Sequence, residues 1–530
     1  MLSSLPPETV LKIFSYVYIT DIHGLQLLSK FWDLFIRKHE STIYRECALI
    51  HRFAQPGIPL CDARGSDHGA WLDDLDSWKD LCQRWFRLEQ NWEGIGREIH
   101  QPPIEKHMGH ATFGAHGIKV DEKHGFIIST HRMGGLVVSS IDHGGVLFKL
   151  SSNYVRRRSH IEYANGYMVF DRDEPQSLEV WRLQTPTWDG TEIPSDPPNR
   201  CRPHPTQLHA SSQEVECRDP SGQGCFSPWA HLHVPLPSGF CAYRFVYPTL
   251  LVASNVDHSV YLFDIPSATL VQSISLNEHR FFAEHDAFVT YVELGQRHIF
   301  VCTTHGILIV LRSNPTINEV VIFPGNSIPT HSKALQVTYS PLNGGHKPGL
   351  FRGLIDEPSL SRSNPLNSRQ TFAALHVSPD GKNFAASTWH GRVFLVKDFE
   401  RVIRGECAFS EVTVQIQLDG PAKSLAFEYG RVAVTSTLGV HIINWDSSYH
   451  GIVRSPWSSY RPPLLPHLTI HKLGRLTHMR IFDEVNVLQM TKTAVWMSWE
   501  PVDHEEDDDD DLDDNARAQP VVCAIDFRPR

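Results

Sequence analysis

The chain has 530 residues, a formal net charge of −11 and ten cysteines, and that length exceeds what one ordinary core supports, so two or more domains or one large repeat architecture are expected. Residues 503–514 hold ten acidic and no basic residues, and taking those ten charges from −11 leaves −1 for the rest of the chain. The basic footprint that nucleic acid requires is missing.

The chain opens on Leu5-Pro6-Pro7-Glu8, after which Val10, Phe14 and Val17 recur at i, i+4 and i+7, with Leu11 and Ile13 widening the apolar stripe. That is a short amphipathic helix with proline inside its start. A second run follows Thr20-Asp21, which can cap a helix, and places Leu25, Leu28 and Trp32 at i, i+3 and i+7, with Leu27 and Phe31 beside them. A third begins near Ser41-Thr42 and carries Ile43, Tyr44 and Cys47. Three helices this short cannot bury all of those side chains against one another, so part of the stripe is surplus and implies a partner.

Residues 49–100 read as connecting helices, with Trp71, Leu72, Leu75 and Trp78 at helical spacing and Leu81, Trp85, Leu88 and Trp92 continuing it. From about residue 111 the period becomes strand-like. A unit then recurs: an apolar strand ending in Ser or Thr, a tight turn, and another apolar strand, often followed by Asp. Copies lie at 126–142, 250–264, 299–311, 384–398 and 432–446, with weaker ones at 167–181 and 485–499. Seven such sheets would close a radial ring in which each covers its neighbours' apolar faces, and six or eight are the neighbouring counts.

Segments 185–240, 341–370 and 447–470 break the repeat with Pro, Ser, Gly and His and read as long disordered insertions, as does the acidic run. Val521 to Phe527 regains strand character and is expected to return to the ring, which makes 503–514 a loop. No apolar run approaches the ~20 residues of a membrane span, so no membrane partner is expected. The cysteines are scattered without a Cys-x-x-Cys pair and no Asn-x-Ser/Thr acceptor occurs, which agrees with a reducing cytoplasmic or nuclear setting.

Phosphate loops, His-Glu-x-x-His helices, Gly-x-Ser-x-Gly elbows and the sialidase-type Ser-x-Asp-x-Gly turn are all absent, so no catalytic residue and no cofactor is assigned. The histidines His107, His110, His116, His124 and His131 fit no structural zinc spacing, and Cys217, Cys225, His231 and His233 are spaced more loosely than finger geometry, so no metal is assigned either. Arg156-Arg157-Arg158 is the strong basic run of the strand region. Its guanidinium forks suit a phosphorylated or acidic client segment, and a solvated turn is the alternative.

Leu5, Pro6, Glu8, Ile13, Phe14, Val17, Asp21, Leu25, Leu28, Phe31 and Trp32 together resemble an F-box, with Phe31 where a smaller aliphatic is usual and Gly24 weakening the second helix by roughly 1 kcal/mol. The segment from Trp78 to Trp92 resembles the helical spacer of F-box WD-repeat proteins, and the repeats are similar to divergent WD-repeat propellers, although among the repeat copies Trp-Asp ends only one, at Trp445-Asp446. The fold implied is multidomain α plus all-β: a three-helix F-box over 1–48, a helical spacer over 49–110, and a WD-repeat-like β-propeller of about seven blades over 111–530. The resemblance implies a substrate-receptor subunit of a Skp-cullin-F-box ubiquitin ligase acting in proteasomal degradation. It docks on a Skp-type adaptor, and through it a cullin, by Leu5, Pro6, Pro7, Ile13, Phe14, Val17, Leu25, Leu28, Phe31 and Trp32, and holds a client protein on the propeller. An F-box scaffold acting outside degradation and a propeller enzyme are the rival readings.

Overall fold

The computed structural model describes residues 5–65, 70–72, 74–92, 104–108, 114–172, 177–184, 203–213, 224–234, 240–277, 282, 287–304, 306–313, 321–324, 333–336, 372–418, 420–436, 439–445, 469–472, 487–499 and 521–529. The insertion 341–370, most of 447–470 and the acidic run 503–514 lie outside them.

Four helices, rather than the expected three, form the amino-terminal module: α1 (Pro7–Phe14), α2 (Ile19–Leu28), α3 (Lys30–Lys38) and α4 (Glu40–Ile50). The expected second helix is cut in two at Ser29. Its extended backbone (φ −164°, ψ 158°) ends α2, and its Oγ accepts the Trp32 N–H at 3.3 Å to start α3. No side chain of its own caps α2; instead Nε2 of the buried His51 accepts the Ile19 N–H at 3.1 Å, tying the start of α2 to the end of α4. A short α5 (Leu60–Gly65) and a 3₁₀ turn (Ala70–Leu72) lead to α6 (Trp78–Trp92). Ser77 caps α6, accepting the Asp80 N–H at 3.1 Å.

The expected helical stretch to residue 110 stops at Trp92, because β1 (Ile104–Met108) is already part of the propeller. The ring has seven blades. The first three are β2 to β5 (Ala115–Asp121, Phe126–His131, Leu136–Ser140, Val146–Leu150), β6 to β9 (Ile161–Ala164, Tyr167–Asp171, Ser177–Leu183, Phe226–His233) and β10 to β13 (Ala242–Val246, Thr249–Ser254, Ser259–Asp264, Thr269–Ser275). Blade 4 is β14 to β17 (Val289–Leu294, His298–Thr303, Gly306–Leu311, Val321–Pro324). Blade 5 is β19 to β22 (Phe372–Val377, Phe384–Thr388, Arg392–Val396, Thr413–Gln417), with β18 (Lys333–Gln336) added in parallel to its outer edge. Blade 6 is β23 to β26 (Ala422–Glu428, Arg431–Ser436, Gly439–Asn444, Thr469–Lys472). Blade 7 is β27 (Val487–Met490), β28 (Ala494–Trp499), β29 (Val521–Asp526) and β1.

The closing ladder is antiparallel, from Ile104 opposite Asp526 to Met108 opposite Val522. A strand from the start of the ring thus completes the sheet that ends it, and β29 returns to the ring as expected. The segment 185–240 is not wholly an insertion, since it supplies α7 (Pro205–Gln213) and β9, the outer strand of blade 2. Turn chemistry fits the tight hairpins. Asn165-Gly166 (φ +49°, +78°) and Tyr429-Gly430 (φ +52°, +71°) are two-residue turns with both backbones left-handed.

Chain direction fixes two faces. The innermost strands β2, β6, β10, β14, β19, β23 and β27 contact their neighbours around the ring. Within each blade the turn from second to third strand, and the link from one blade to the next, therefore leave from one end, while the other two turns leave from the opposite end. The helical module packs at the second end, under blades 6 and 7. One continuous apolar cluster holds Val10, Phe14, Ile22 and Ile36 of the module, Leu81, Trp85 and Trp92 of α6, and Ala433, Ile442, Met497 and Phe527 of the ring. Trp92 stacks on Phe527 with centroids 3.7 Å apart and donates its Nε1–H to the Lys492 carbonyl at 3.1 Å. Asn91 donates to the Phe527 carbonyl at 2.8 Å, Glu89 pairs with the buried Arg431, and Arg431 lies over the Trp92 ring at 4.8 Å.

Candidate docking surfaces

The module's apolar residues divide between two roles. Val10, Phe14, Ile22 and Ile36 are buried, and Leu11, Val17, Leu25 and Trp32 pack partly buried on the same cluster. Leu5, Ile13 and Phe31 are exposed, as are Leu28 at 69 %, Leu27 at 75 %, Leu34 at 67 % and Tyr16 at 69 %. Pro6 and Pro7 lie with them on the surface. α2 shows the division most plainly, with Ile22 sealed inside and Leu27 and Leu28 in solvent, so the helix is covered on one side and apolar on the other as well.

The F-box resemblance implies that Phe14 belongs to the docking set. At 3 % exposure, with its ring 5.9 Å from Trp32 and 6.0 Å from Phe35, it belongs to the module's own core instead. The reason is helical phase: Phe14 lies four residues after the buried Val10, while Ile13 is turned about 100° away. Tyr16 and Leu34 were not picked out from the sequence, because neither repeats at the spacing of the buried stripe.

On the propeller, the face opposite the module carries two sectors. Over blades 1 and 2, Arg132 sits in the β3–β4 turn, Arg156, Arg157, Arg158 and His160 lie in the link from β5 to β6, and His116 stands near the start of β2. The link is a turn, as the alternative reading had it: Arg158 has φ +52°, and Arg156 is paired with Asp171. Arg157 and Arg158 are exposed. The cations are concentrated enough that burial of His116, reinforced by His160, Arg158, Arg132 and Arg156, drives its pKa down to about 4. Over blades 3 to 5 the same face exposes Val256, Phe288 and Trp389. Val256 and Phe288 are held close because Asn255, in the same turn as Val256, accepts the Val289 N–H at 2.7 Å and donates to the Val289 carbonyl at 3.3 Å.

Innermost strands converge charges on the channel. Lys119 (β2) reaches Glu162 (β6) at 3.0 Å, Arg244 (β10) reaches Glu162 at 3.3 Å and Glu293 (β14) at 3.0 Å, and His376 (β19) reaches Glu293 at 2.9 Å. Burial opposes the charge on Glu162, but Lys119 and Arg244 outweigh it and hold the carboxyl well below its usual range. Glu428 (β23) faces the same channel, and there burial wins, lifting its pKa to about 7 against the pull of Arg244. Lys119, Glu162, Arg244, Glu293 and His376 alternate in kind and satisfy one another, so this network braces the inner strands. It does not present a nucleophile beside a base.

Among the described residues no group of side chains could hold a metal ion, and no helix is long and apolar enough to cross a membrane. Cys225 is disulfide-bonded, which removes it as a thiolate donor from the set with His231 and His233, while Cys217 and His110 lie outside the described residues. His124 is a turn clip, its Nδ1 2.7 Å from Asp121 Oδ2, and His131 approaches Ser129 Oγ at 3.3 Å.

No family model and no curated protein matches the chain. Solved structures similar to it include that of U3-55K, with 11 % identity over 80 % of this chain and 99 % of that one at a TM-score of 0.42. The RRP9 WD40 repeats give 11 % identity over 80 % and 99 % at 0.43. The computationally designed Ika8 protein gives 11 % over 79 % and 98 % at 0.38. The count of seven blades rests on the hydrogen-bonded ladders themselves.

Proposed function

We propose that the protein is the non-catalytic substrate receptor of a Skp-cullin-F-box ubiquitin ligase. The observation that carries this reading is the exposure of Leu5, Ile13, Leu28 and Phe31, residues of the F-box-like pattern, while Val10, Phe14 and Ile22 complete the module's own core. An apolar surface of this kind, left over after the core is filled, suits a Skp-type adaptor that carries the cullin. The mechanism is positional: the receptor makes no bond, but raises the client's effective concentration near a charged conjugating enzyme. Rigid mounting of the module on blades 6 and 7 supports this, since slack would dilute that concentration.

The client is held on the opposite face, with an acidic or phosphorylated segment over Arg132, Arg157 and Arg158 and an apolar part against Val256, Phe288 and Trp389. Co-expression with a Skp-type adaptor and a cullin tests the reading. The expected result is a one-to-one complex on gel filtration that Leu28→Glu disrupts and that Arg157→Ala with Arg158→Ala leaves intact. The arginine pair should instead lower capture of acidic clients under proteasome inhibition about tenfold. A chain that elutes apart from the adaptor at micromolar concentration would overturn the proposal. Deleting residues 1–45 is a poorer test, because it strips the cover from Leu81, Cys82 and Trp85 on α6.

A further inference from the structure

The acidic run 503–514 departs from the ring beside the cationic sector of blades 1 and 2. β28 and β29 end opposite one another, Trp499 against Val521, and residues 500–520 join them. As the connection from second to third strand, it leaves blade 7 on the face opposite the helical module, which is the face that carries Arg132, Arg157 and Arg158. Ring closure sets blade 7 against blade 1, where Ala494, Trp496 and Val522 share an apolar cluster with Ala115, Ile118 and Ile127. Hydrogen bonds then lead from the point of departure to the arginines. Ser498 donates its Oγ–H to the Ala115 carbonyl at 2.7 Å, the neighbouring Gly114 carbonyl accepts the Arg132 N–H at 2.8 Å, and the His131 carbonyl accepts the Arg158 N–H at 3.2 Å. Arg156 is paired with Asp171, whereas Arg157 and Arg158 stand exposed.

Charge and reach fit the run to the sector. Ten acidic residues and no basic one over 503–514 repel one another, and guanidinium forks relieve that repulsion with charge-assisted hydrogen bonds. The arms 500–502 and 515–520 span up to about 10 and 20 Å when extended, enough to bring the run over the adjoining blade 1. Tethered at both ends beside its target, the run has an effective concentration there on the order of millimolar, far above that of a separate acidic segment at micromolar concentration. We propose that the acidic run 503–514 is the resident occupant of the cationic sector, so that a client reaches Arg132, Arg157 and Arg158 by displacing a segment of the same chain. The docking rests on charge and chain position alone, and its consequence for clients rests on the receptor reading above. A sector filled about nine-tenths of the time binds an acidic client about tenfold more weakly. The occupant therefore favours phosphorylated clients, whose phosphate groups carry more charge and more acceptor oxygens than the carboxylates they displace.

A labelled synthetic peptide of residues 500–520, titrated into the full chain at low salt, tests the docking. Replacing the ten acidic residues of the run by their amides (Asp→Asn, Glu→Gln) should tighten peptide binding about tenfold over the wild type, and adding Arg132→Ala, Arg157→Ala and Arg158→Ala to that chain should remove it. Equal affinity for the wild-type and amide chains overturns the proposal, as does tight binding that survives the arginine substitutions. The unsubstituted chain supplies a check that no folding defect can blur: amide hydrogen exchange over 151–160 should speed up between low salt and about 1 M NaCl, where charges are screened beyond about 3 Å. An exchange rate indifferent to salt overturns the proposal too. A wild-type dimer on gel filtration that the amide substitutions dissolve assigns the run to a second copy of the chain and overturns docking within one chain. Adaptor binding should be equal for the wild-type and amide chains, so failure of the receptor reading is seen separately and leaves the peptide and exchange results standing.

Discussion

The amino-terminal helices and the propeller use apolar residues in opposite ways. In the ring, strands such as β11 and β24 are buried at every position, because each sheet is covered on both faces by its neighbours. In the module, α2 and α3 bury Ile22 and Ile36 and leave Leu27, Leu28, Phe31 and Leu34 in solvent. A ring that covers itself needs no partner to be stable, whereas the module leaves Leu27, Leu28 and Leu34 in solvent, the surface that the proposed adaptor would cover. The difference separates two exposed surfaces: apolar side chains on the helices at one end of the ring, cations with a few apolar side chains at the other.

The contrast depends on the module being fixed to the ring, so its severest test is to loosen the mount. Glu89→Gln leaves Arg431 buried without its charge partner and should cost about 3–5 kcal/mol in urea unfolding, with the helical signal separating from the sheet signal. A single unchanged transition would show that the two regions are not coupled through this pair. Next in size is a comparison inside the module. Phe14→Ala removes a buried ring and should cost about 3–5 kcal/mol, whereas Leu28→Glu, exposed and near the end of α2, should change stability by less than about 0.5 kcal/mol while removing adaptor binding. Equal costs for the two substitutions would erase the distinction between core and docking residues.

Legibility of the sequence follows the same division. The second and third strands of blades 1 to 6 were readable because burial on both faces makes them continuous apolar runs, as in β15 and β16. The outer strands were not: β13 exposes Leu270 and Val271, β9 follows a long interruption after β8, and β1 reads Ile-Glu-Lys-His-Met and finds its partner only at the far end of the chain. The apolar surplus of the first helices could be read from composition, but its orientation could not, which is why Phe14 was placed outside and Tyr16 and Leu34 were overlooked. The channel network of Lys119, Glu162, Arg244, Glu293 and His376 left no sequence signal, since each member sits on a different short strand and meets the others only when the ring closes. Arg156–Arg158 stood out as a run, but Arg132, which completes that cationic sector, and His116, which the same cations help keep neutral, arrive from elsewhere in blade 1.

The channel offers a milder test of self-sufficiency in the ring. Glu428 is raised to about 7 in the folded chain, chiefly by burial, so its carboxylate costs stability above that pH. The stabilising contribution of the protonated form is complete below the ordinary carboxyl range and is lost as pH rises through about 7. Glu428→Gln should therefore match the wild type at pH 4 and exceed it at pH 8, by about 1–2 kcal/mol once screening at the channel mouth is allowed for. Equal gains at both pH values would point to packing rather than charge.

The smallest effect belongs to Gly24 in α2. A Cβ there meets nothing within 4 Å, and the position is exposed on a helix whose outer side carries Leu27 and Leu28. Gly24→Ala should stabilise the module by about 0.5–1 kcal/mol by lowering the entropy of the unfolded chain, without touching the apolar surface. If adaptor binding is set by the exposed leucines alone, its affinity should hold constant while the thermal midpoint rises. An affinity that climbs with helix stability would instead mean that α2 frays in the uncovered state and that the adaptor selects its folded form.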